Sequence, residues 1–205
     1  MIKCGGGDDG LYEDRKFEQN IQGALANGIQ VGVYFYSGAS NAREAYDEAS
    51  YCISLIRDYQ ITYPVAFDWE LDGDYDSVTE ACETFCNVIS SYGYQPMVYS
   101  NRNRWYNNFD GEKIASKYKV WMAAYFGKFY YDSVRWTYGD DLPNFRYHYD
   151  MWQYSSRCYV DGISGQVDVD IAFFGYANYH VDTKDAVLTV TNKEIKRTYG
   201  EGIGR

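Results

Sequence analysis

The sequence predicts an α/β fold of the β/α-barrel type, because short apolar segments alternate along the chain with amphipathic ones. Strands that alternate with helices form a parallel sheet, and this many consecutive units favour a barrel. A chain of 205 residues and 23.7 kDa is long enough to bury the core of one such domain. The four apolar segments predicted as strands are Gln30–Tyr36, Pro64–Glu70, Pro96–Ser100 and Lys119–Tyr125.

The segments between these strands have helical spacing and recognisable ends. Tyr12–Asn27 is predicted as a helix that stops at Gly28, a residue type that is common after helix C-termini. The alternation is regular up to Tyr125 and weaker after it. The remaining predicted elements are two longer helices, one short helix and two late strands: Ala39–Tyr59, Ser77–Tyr92, Gly111–Lys117, Tyr149–Tyr154 and Val167–Phe173.

Two acidic residues, Asp68 and Glu70, stand at the C-terminal end of a predicted strand that begins at Pro64. Residues i and i+2 of a strand point to the same face, and the chemistry of a β/α barrel lies at this end of the strands. A neighbouring carboxylate raises the pKa of an acid, and burial near Trp69 acts in the same direction. A protonated acid beside an ionised one is the pair used in glycoside hydrolysis. The alternative is a strand end whose acids cap the next helix.

The overall charge and the aromatic content indicate which classes of molecule the protein can bind. With a net charge of −10 and no basic cluster, the chain lacks the phosphate-neutralising surface that nucleic-acid binding requires, and we expect no nucleic-acid partner. Aromatic residues make up 19% of the chain, and 24 of them are tyrosines. Rings with polar edges suit a groove that stacks on sugars, although a tyrosine-rich core and surface explain the same composition.

Nothing in the sequence indicates a metal, another cofactor or a membrane span. No CxxC pair occurs, His148 and His180 are the only histidines, and Cys82 and Cys86 are expected to be buried free thiols on one helix face. No apolar run of 18 residues and no signal peptide is present in this sequence. The odd set of cysteines has no compact framework and comprises Cys4, Cys52, Cys82, Cys86 and Cys158.

The acidic segment Asp72–Asp76 resembles a calcium loop, with Glu83 at the position of the final ligand. However, Ser77 stands where such loops need glycine. The segment Ser77–Glu80 has the spacing of a capping box, which predicts a helix start inside the twelve-residue loop. We therefore expect these acids to favour the N-terminus of a helix and not to bind calcium.

Several motifs occur together in a specific order. The central one is Asp68-Trp69-Glu70, which has the form DxE, and Trp121–Tyr125 has the form WxAxY. In this order the segments resemble the family 25 glycoside hydrolases, the bacterial and phage lysozymes of the muramidase type. The likeness runs from about residue 1 to 179, and the other segments that carry it are Asp8–Asp14, Gly28–Ser37, Trp152–Ser156, Val160–Gly165 and Val167-Asp168.

The resemblance implies roles for individual residues of an irregular barrel. Glu70 matches the family's general acid/base, Asp68 its neighbouring carboxylate and Asp168 its last active-site aspartate. Asp170 stands where asparagine is common, and we expect it to be a tolerated surface change. The positions that match the lining of the family's sugar groove, about half of which could instead be barrel core, are Tyr36, Tyr99, Trp121, Tyr125, Trp152 and Gln153.

The implied activity is cleavage of the β-1,4 bond between N-acetylmuramic acid and N-acetylglucosamine in peptidoglycan, without a cofactor. The site of action would be extracellular or at the cell wall of a bacterium, or reached by release from a phage. The family opens with a strand that carries an aspartate, whereas Met1–Gly7 matches its second strand, so we expect an N-terminally truncated barrel. The alternatives are a glycan-binding module with impaired catalysis and a structural fragment of a surface protein. We expect the barrel to span residues 1–179, and residues 180–205 to be a tail or the start of a β-rich surface module.

Overall fold

A computed structural model describes residues 1–73, 77–126 and 142–173 of the chain. The chain divides into two compact units, a first unit of Met1–Val120 and a second unit of Trp121–Arg205. The predicted tail at residues 180–205, and the boundary at residue 179, lie outside the described residues.

The first unit contains a mostly parallel sheet in the order β2-β1-β3-β4-β5. β1 pairs in parallel with β3, β3 with β4 and β4 with β5, while β2 runs antiparallel to β1. All five residues of β4 are buried, as expected for the centre of a sheet covered on both faces. The strands are β1 Ile2–Gly6, β2 Tyr12–Glu13, β3 Val33–Ser37, β4 Val65–Trp69 and β5 Pro96–Asn101.

Five helices follow these strands, and asparagine or aspartate caps three of them. The side chain of Asn41 accepts hydrogen bonds from two backbone N–H groups of α2, and Asn101 and Asp110 cap α4 and α5 through one each. Their apolar faces meet the sheet: Phe85 of α3 packs against Phe35 and Phe67, with ring centres 6.1 and 5.1 Å away. The helices are α1 Phe17–Ala26, α2 Ala42–Ile56, α3 Val78–Ser91, α4 Arg102–Asn107 and α5 Gly111–Ala115.

The described part of the second unit is built on strands. β6 Lys119–Ala123 begins at the end of the first unit and pairs in parallel with β7 Met151–Cys158. β7 pairs antiparallel with β8 Val167–Ala172, and the register shifts at two places along this pair. No helix within the described ranges of either unit is both long enough and apolar enough to cross a membrane.

The predicted strands and long helices are confirmed, with ends that differ by a few residues. Two expectations are wrong. Tyr12 and Glu13 form β2 instead of the first turn of a helix, which begins only at Phe17. The sheet is not wholly parallel, since β2 and β8 are antiparallel to their neighbours.

The helix start predicted at Ser77 is confirmed, but the capping hydrogen bond predicted for the Ser77 side chain is wrong. α3 begins immediately after Ser77, but the Ser77 hydroxyl donates to the backbone oxygen of Ser40 instead of capping its own helix. Residues 74–76 of the acidic segment lie outside the described residues.

Candidate active site

The C-terminal ends of three adjacent strands bring together three of the predicted site residues. In the sheet register Tyr36 of β3 lies beside Asp68 of β4, and Asp68 lies beside Tyr99 of β5. Asp68 is 4% exposed and Tyr99 is 6% exposed. Glu70 directly follows β4 and keeps 33% of its side chain exposed. A buried carboxyl and a solvent-accessible one therefore stand at the same strand end.

Both acids of this pair affect the pKa of Tyr36. Burial raises the pKa of its phenol, and the negative charges of Glu70, Asp68 and Asp8 raise it further. Tyr36 consequently stays a neutral hydroxyl at physiological pH and is able to donate a hydrogen bond to an oxygen acceptor. The Nζ atom of Lys3 lies 4.8 Å from the centre of the Tyr36 ring.

An arginine that motif matching did not single out contacts the segment around Glu70. Arg104 of α4 places Nη1 4.0 Å from Glu70 Oε2 and Nη2 2.7 Å from Asp72 Oδ1. Its Nε donates to the Leu71 carbonyl oxygen at 3.0 Å. The sequence signal that could have located Arg104 is Asn101. Asparagine directly after a predicted strand predicts the start of a helix, and Asn101 caps the short helix α4.

The opposite face of β4 is anchored by Trp69, which lies between the two acids in sequence and is completely buried. Its Nε1 donates to the Ala39 carbonyl oxygen at 3.2 Å, and its own carbonyl oxygen accepts from Ser100 Oγ at 2.8 Å. Its ring meets that of Phe109 edge-on, with centres 5.7 Å apart. These contacts fix the backbone from which Asp68 and Glu70 project.

In the second unit, Asp168 and Asp170 alternate with valines on β8 and therefore share one strand face. Asp170 Oδ1 accepts a hydrogen bond from Trp121 Nε1 at 2.7 Å. Both aspartates keep exposed surface, and burial raises the pKa of both carboxyl groups. Asp170 thus lies at the surface, as expected from the sequence, and its carboxyl group also contacts Trp121.

The predicted groove aromatics of the second unit differ in exposure. Tyr125 is 39% exposed, and its hydroxyl donates to Gln153 Oε1. Trp121 is 4% exposed, and Trp152 is fully buried, with its ring stacked on Phe126 at 5.6 Å between centres. This burial favours the packing role for the two tryptophans, whereas Tyr125 keeps part of its side chain accessible to solvent.

No arrangement within the described ranges indicates a metal centre, as no group of three or more His, Cys, Asp and Glu side chains there is placed to hold an ion. All five cysteines are buried free thiols, as predicted for Cys82 and Cys86.

Comparison with known proteins shows which family the chain is similar to. A model of the glycosyl hydrolases family 25 matches residues 1–163. The autolytic lysozyme of Clostridium acetobutylicum is 26% identical over 164 residues, which is 78% of this chain and 44% of that protein. The chain therefore spans less than half of that relative's length.

Two solved structures have the same fold. The CTP1L endolysin is 26% identical with a TM-score of 0.66, covering 83% of this chain and 56% of that one. The modular autolysin LytC from Streptococcus pneumoniae, in complex with a synthetic peptidoglycan ligand, is 27% identical with a TM-score of 0.64, covering 82% and 39%. These likenesses confirm the predicted α/β fold of the irregular β/α-barrel type. With 163 of its 205 residues matched by the family model, the chain belongs to the glycosyl hydrolases family 25.

Proposed function

We propose that this chain is a lysozyme-type glycoside hydrolase that cleaves the β-1,4 bond between N-acetylmuramic acid and N-acetylglucosamine in peptidoglycan. The observation that carries the proposal is the acid pair at the end of β4, with Asp68 buried between Tyr36 and Tyr99 and with Glu70 accessible to solvent. A family 25 chain with this pair has the groups that glycoside hydrolysis requires.

Glu70 is the general acid/base in this proposal because it is the accessible member of the pair. It gives its proton to the glycosidic oxygen as the bond to the anomeric carbon breaks, and it later recovers a proton from the water that adds to that carbon. The positive charge that develops on the sugar ring is stabilised by Asp68 or by the acetamido group of the substrate itself. Tyr36, Tyr99 and Tyr125 contact the glycan.

The place of action is the cell wall, reached from outside a bacterium or after release from a phage. The partner is the peptidoglycan glycan strand, which supplies both the bond to be cleaved and the sugar faces for the tyrosines. Support comes from the autolytic lysozyme and the endolysin among the relatives and from the peptidoglycan ligand bound to LytC.

The test is Glu70→Gln, which keeps the shape of the side chain and removes its acid. General acid catalysis contributes about 10²–10⁴-fold, so we expect the variant to lose activity by that factor on a peptidoglycan suspension. New reducing ends at N-acetylmuramic acid, identified by mass spectrometry, define the cleaved bond. Glu80→Gln is the matched control, because Glu80 lies exposed on α3.

A binding module without turnover is the competing function. It predicts that the wild-type chain sediments with peptidoglycan yet releases no reducing ends, and that Glu70→Gln binds equally well. Equal rates of release for wild type and a folded Glu70→Gln variant would exclude Glu70 as the acid.

A further inference from the structure

The three residues that follow Glu70 are each bonded to α4 or to its C-terminal cap. Arg104 donates from Nε to the Leu71 carbonyl oxygen at 3.0 Å and from Nη2 to Asp72 Oδ1 at 2.7 Å. Asn108 donates from Nδ2 to the Gly73 carbonyl oxygen at 3.0 Å. A short helix after β5 therefore holds the segment that leaves β4.

Arg104 also brings a permanent charge to this segment. Its guanidinium carries a positive charge and offers donors in a rigid fork. Nη1 lies 4.0 Å from Glu70 Oε2, and only 18% of the Arg104 side chain is exposed. The Asp72 side chain is fully exposed, so water and salt screen that pair, whereas Glu70 is two-thirds covered.

The other charged and titratable groups at this strand end, in the described part of the first unit, include three carboxyls, two tyrosines and two cations. Tyr36 couples electrostatically to four of the charged groups at this strand end, and Lys3 lies over the Tyr36 ring. The charged and titratable groups, taken element by element, are Lys3 of β1, Asp8 after β1, Tyr36 of β3, Asp68 of β4, Asp72 after β4, Tyr99 of β5 and Arg104 of α4.

We propose that Arg104 is a positioning residue for Glu70, which holds the backbone after the acid and keeps a fixed cation beside its carboxyl group. The inference rests on the proposed lysozyme activity. As Glu70 releases its proton to the glycosidic oxygen, its carboxylate forms next to the guanidinium, which stabilises it and strengthens the acid. The same charge offsets the repulsion from Asp68 and Asp8, so the Glu70 carboxyl ionises at a lower pH than it would without Arg104.

The test follows the Glu70 carboxyl carbon by NMR in ¹³C-glutamate-labelled protein, with the signal assigned through Glu70→Gln. An opposite charge within 4–6 Å moves a carboxyl titration by about 1–3 units, and partial exposure reduces this, so we expect Arg104→Gln to raise the midpoint by roughly 0.5–1 unit. The high-pH limb of kcat/KM for peptidoglycan should rise by the same amount. In Arg104→Lys the Glu70 midpoint should return most of the way to the wild-type value, because lysine keeps the positive charge.

Two controls separate charge from loop restraint. Asn108→Ala frees the Gly73 carbonyl oxygen without changing charge, and Arg43→Gln breaks an exposed ion pair with Asp47 on α2. Neither should move the Glu70 midpoint. An unchanged midpoint in Arg104→Gln, or an equal rise in Asn108→Ala, would overturn the proposal.

The NMR titration does not depend on turnover. A wild-type chain that shows no cleavage but a normal Arg104 effect would therefore contradict the proposed function and leave this inference standing.

Discussion

Glu48 is a buried carboxyl that joins α2 to the end of β3. It is 3% exposed, accepts from Ser37 Oγ at 2.5 Å and accepts from the Gly38 backbone N–H at 2.9 Å. The Ser37 hydroxyl in turn accepts from the backbone N–H of Ala39, whose carbonyl oxygen holds Trp69. Burial raises the pKa of Glu48 to about 7, although its hydrogen bonds oppose the rise. The Glu48 carboxyl thus connects α2, through Ser37 and Ala39, to Trp69, which lies between the two acids in sequence.

This raised pKa predicts a pH-dependent stability with a defined sign. The unfolded carboxyl ionises near pH 4.3 and the folded one near 7, so the contribution of Glu48 to stability is fully present below about pH 4 and declines as the pH rises to 7. The decline is roughly 4 kcal/mol as an upper estimate. Above pH 7 the contribution is constant.

Replacing Glu48 with glutamine should remove this slope. Urea unfolding of wild type and Glu48→Gln between pH 4.5 and 8 measures it, and Glu80→Gln on α3 is the exposed control. A free-energy difference between wild type and Glu48→Gln that stays constant over this range would show that Glu48 titrates as an ordinary acid.

The pairing of β1 with β2 depends on the absence of a side chain at Gly5. Gly5 pairs with Glu13 of β2, and a Cβ atom on Gly5 would lie 2.2 Å from the backbone oxygen of the preceding residue, Tyr12. Gly23 lies in the middle of α1, where an added Cβ meets no atom within 4 Å. A side chain at Gly5 would therefore clash with β2, whereas a side chain at Gly23 has space in α1.

We expect Gly5→Ala to destabilise the protein by roughly 1–3 kcal/mol, because β2 must move away from β1. Gly23→Ala should stabilise it by about 0.5–1 kcal/mol, because alanine favours a helix interior. Thermal unfolding of both variants measures the two signs. A Gly5→Ala protein as stable as wild type would mean that β2 contributes little to the fold.

The elements that the sequence predicted well are those with long apolar periods, such as β4, β5, α2 and α3. β2 was missed because a strand of two residues has no measurable period, and its formation depends on the Asp14 N–H to Cys4 oxygen bond across to β1. α4 has six residues and is stabilised mainly by its cap. The roles of Glu48 and Arg104 depend on contacts between residues 11 and about 30 positions apart, which no local pattern contains. The acid pair itself was predictable because strand alternation is local.

All five cysteines are buried, so their reaction with a thiol reagent measures unfolding across the whole molecule. Four lie in the first unit and Cys158 lies in the second, and each is at most 3% exposed. The Sγ atoms of Cys4 and Cys52 lie 3.8 Å apart between β1 and α2. The hydrogen bond with Cys4, followed by burial, raises the pKa of the Cys52 thiol, and burial, followed by the hydrogen bond with Cys86, raises that of Cys82. Both effects slow the reaction of these thiols further.

A thiol reagent should therefore leave the native protein almost unlabelled and modify all five cysteines in denaturant. Mass spectrometry of partly labelled protein assigns each site, and we expect Cys4, Cys52, Cys82 and Cys86 to react together because β1, α2 and α3 share one core. Rapid labelling of one of these four in native buffer would show that its element opens separately.

The anchoring of Trp69 has a consequence for how such a site changes over generations. Its indole and carbonyl groups are bonded to Ala39 and Ser100, while the carboxyls on either side in sequence point away from it. In the proposed enzyme, selection on substrate preference would therefore act on Glu70 and its neighbours at the strand end, and selection on folding would act on the tryptophan behind them. Because the two sets of residues alternate along one strand, single substitutions at the acids would change the proposed catalysis while the packing around Trp69 persists.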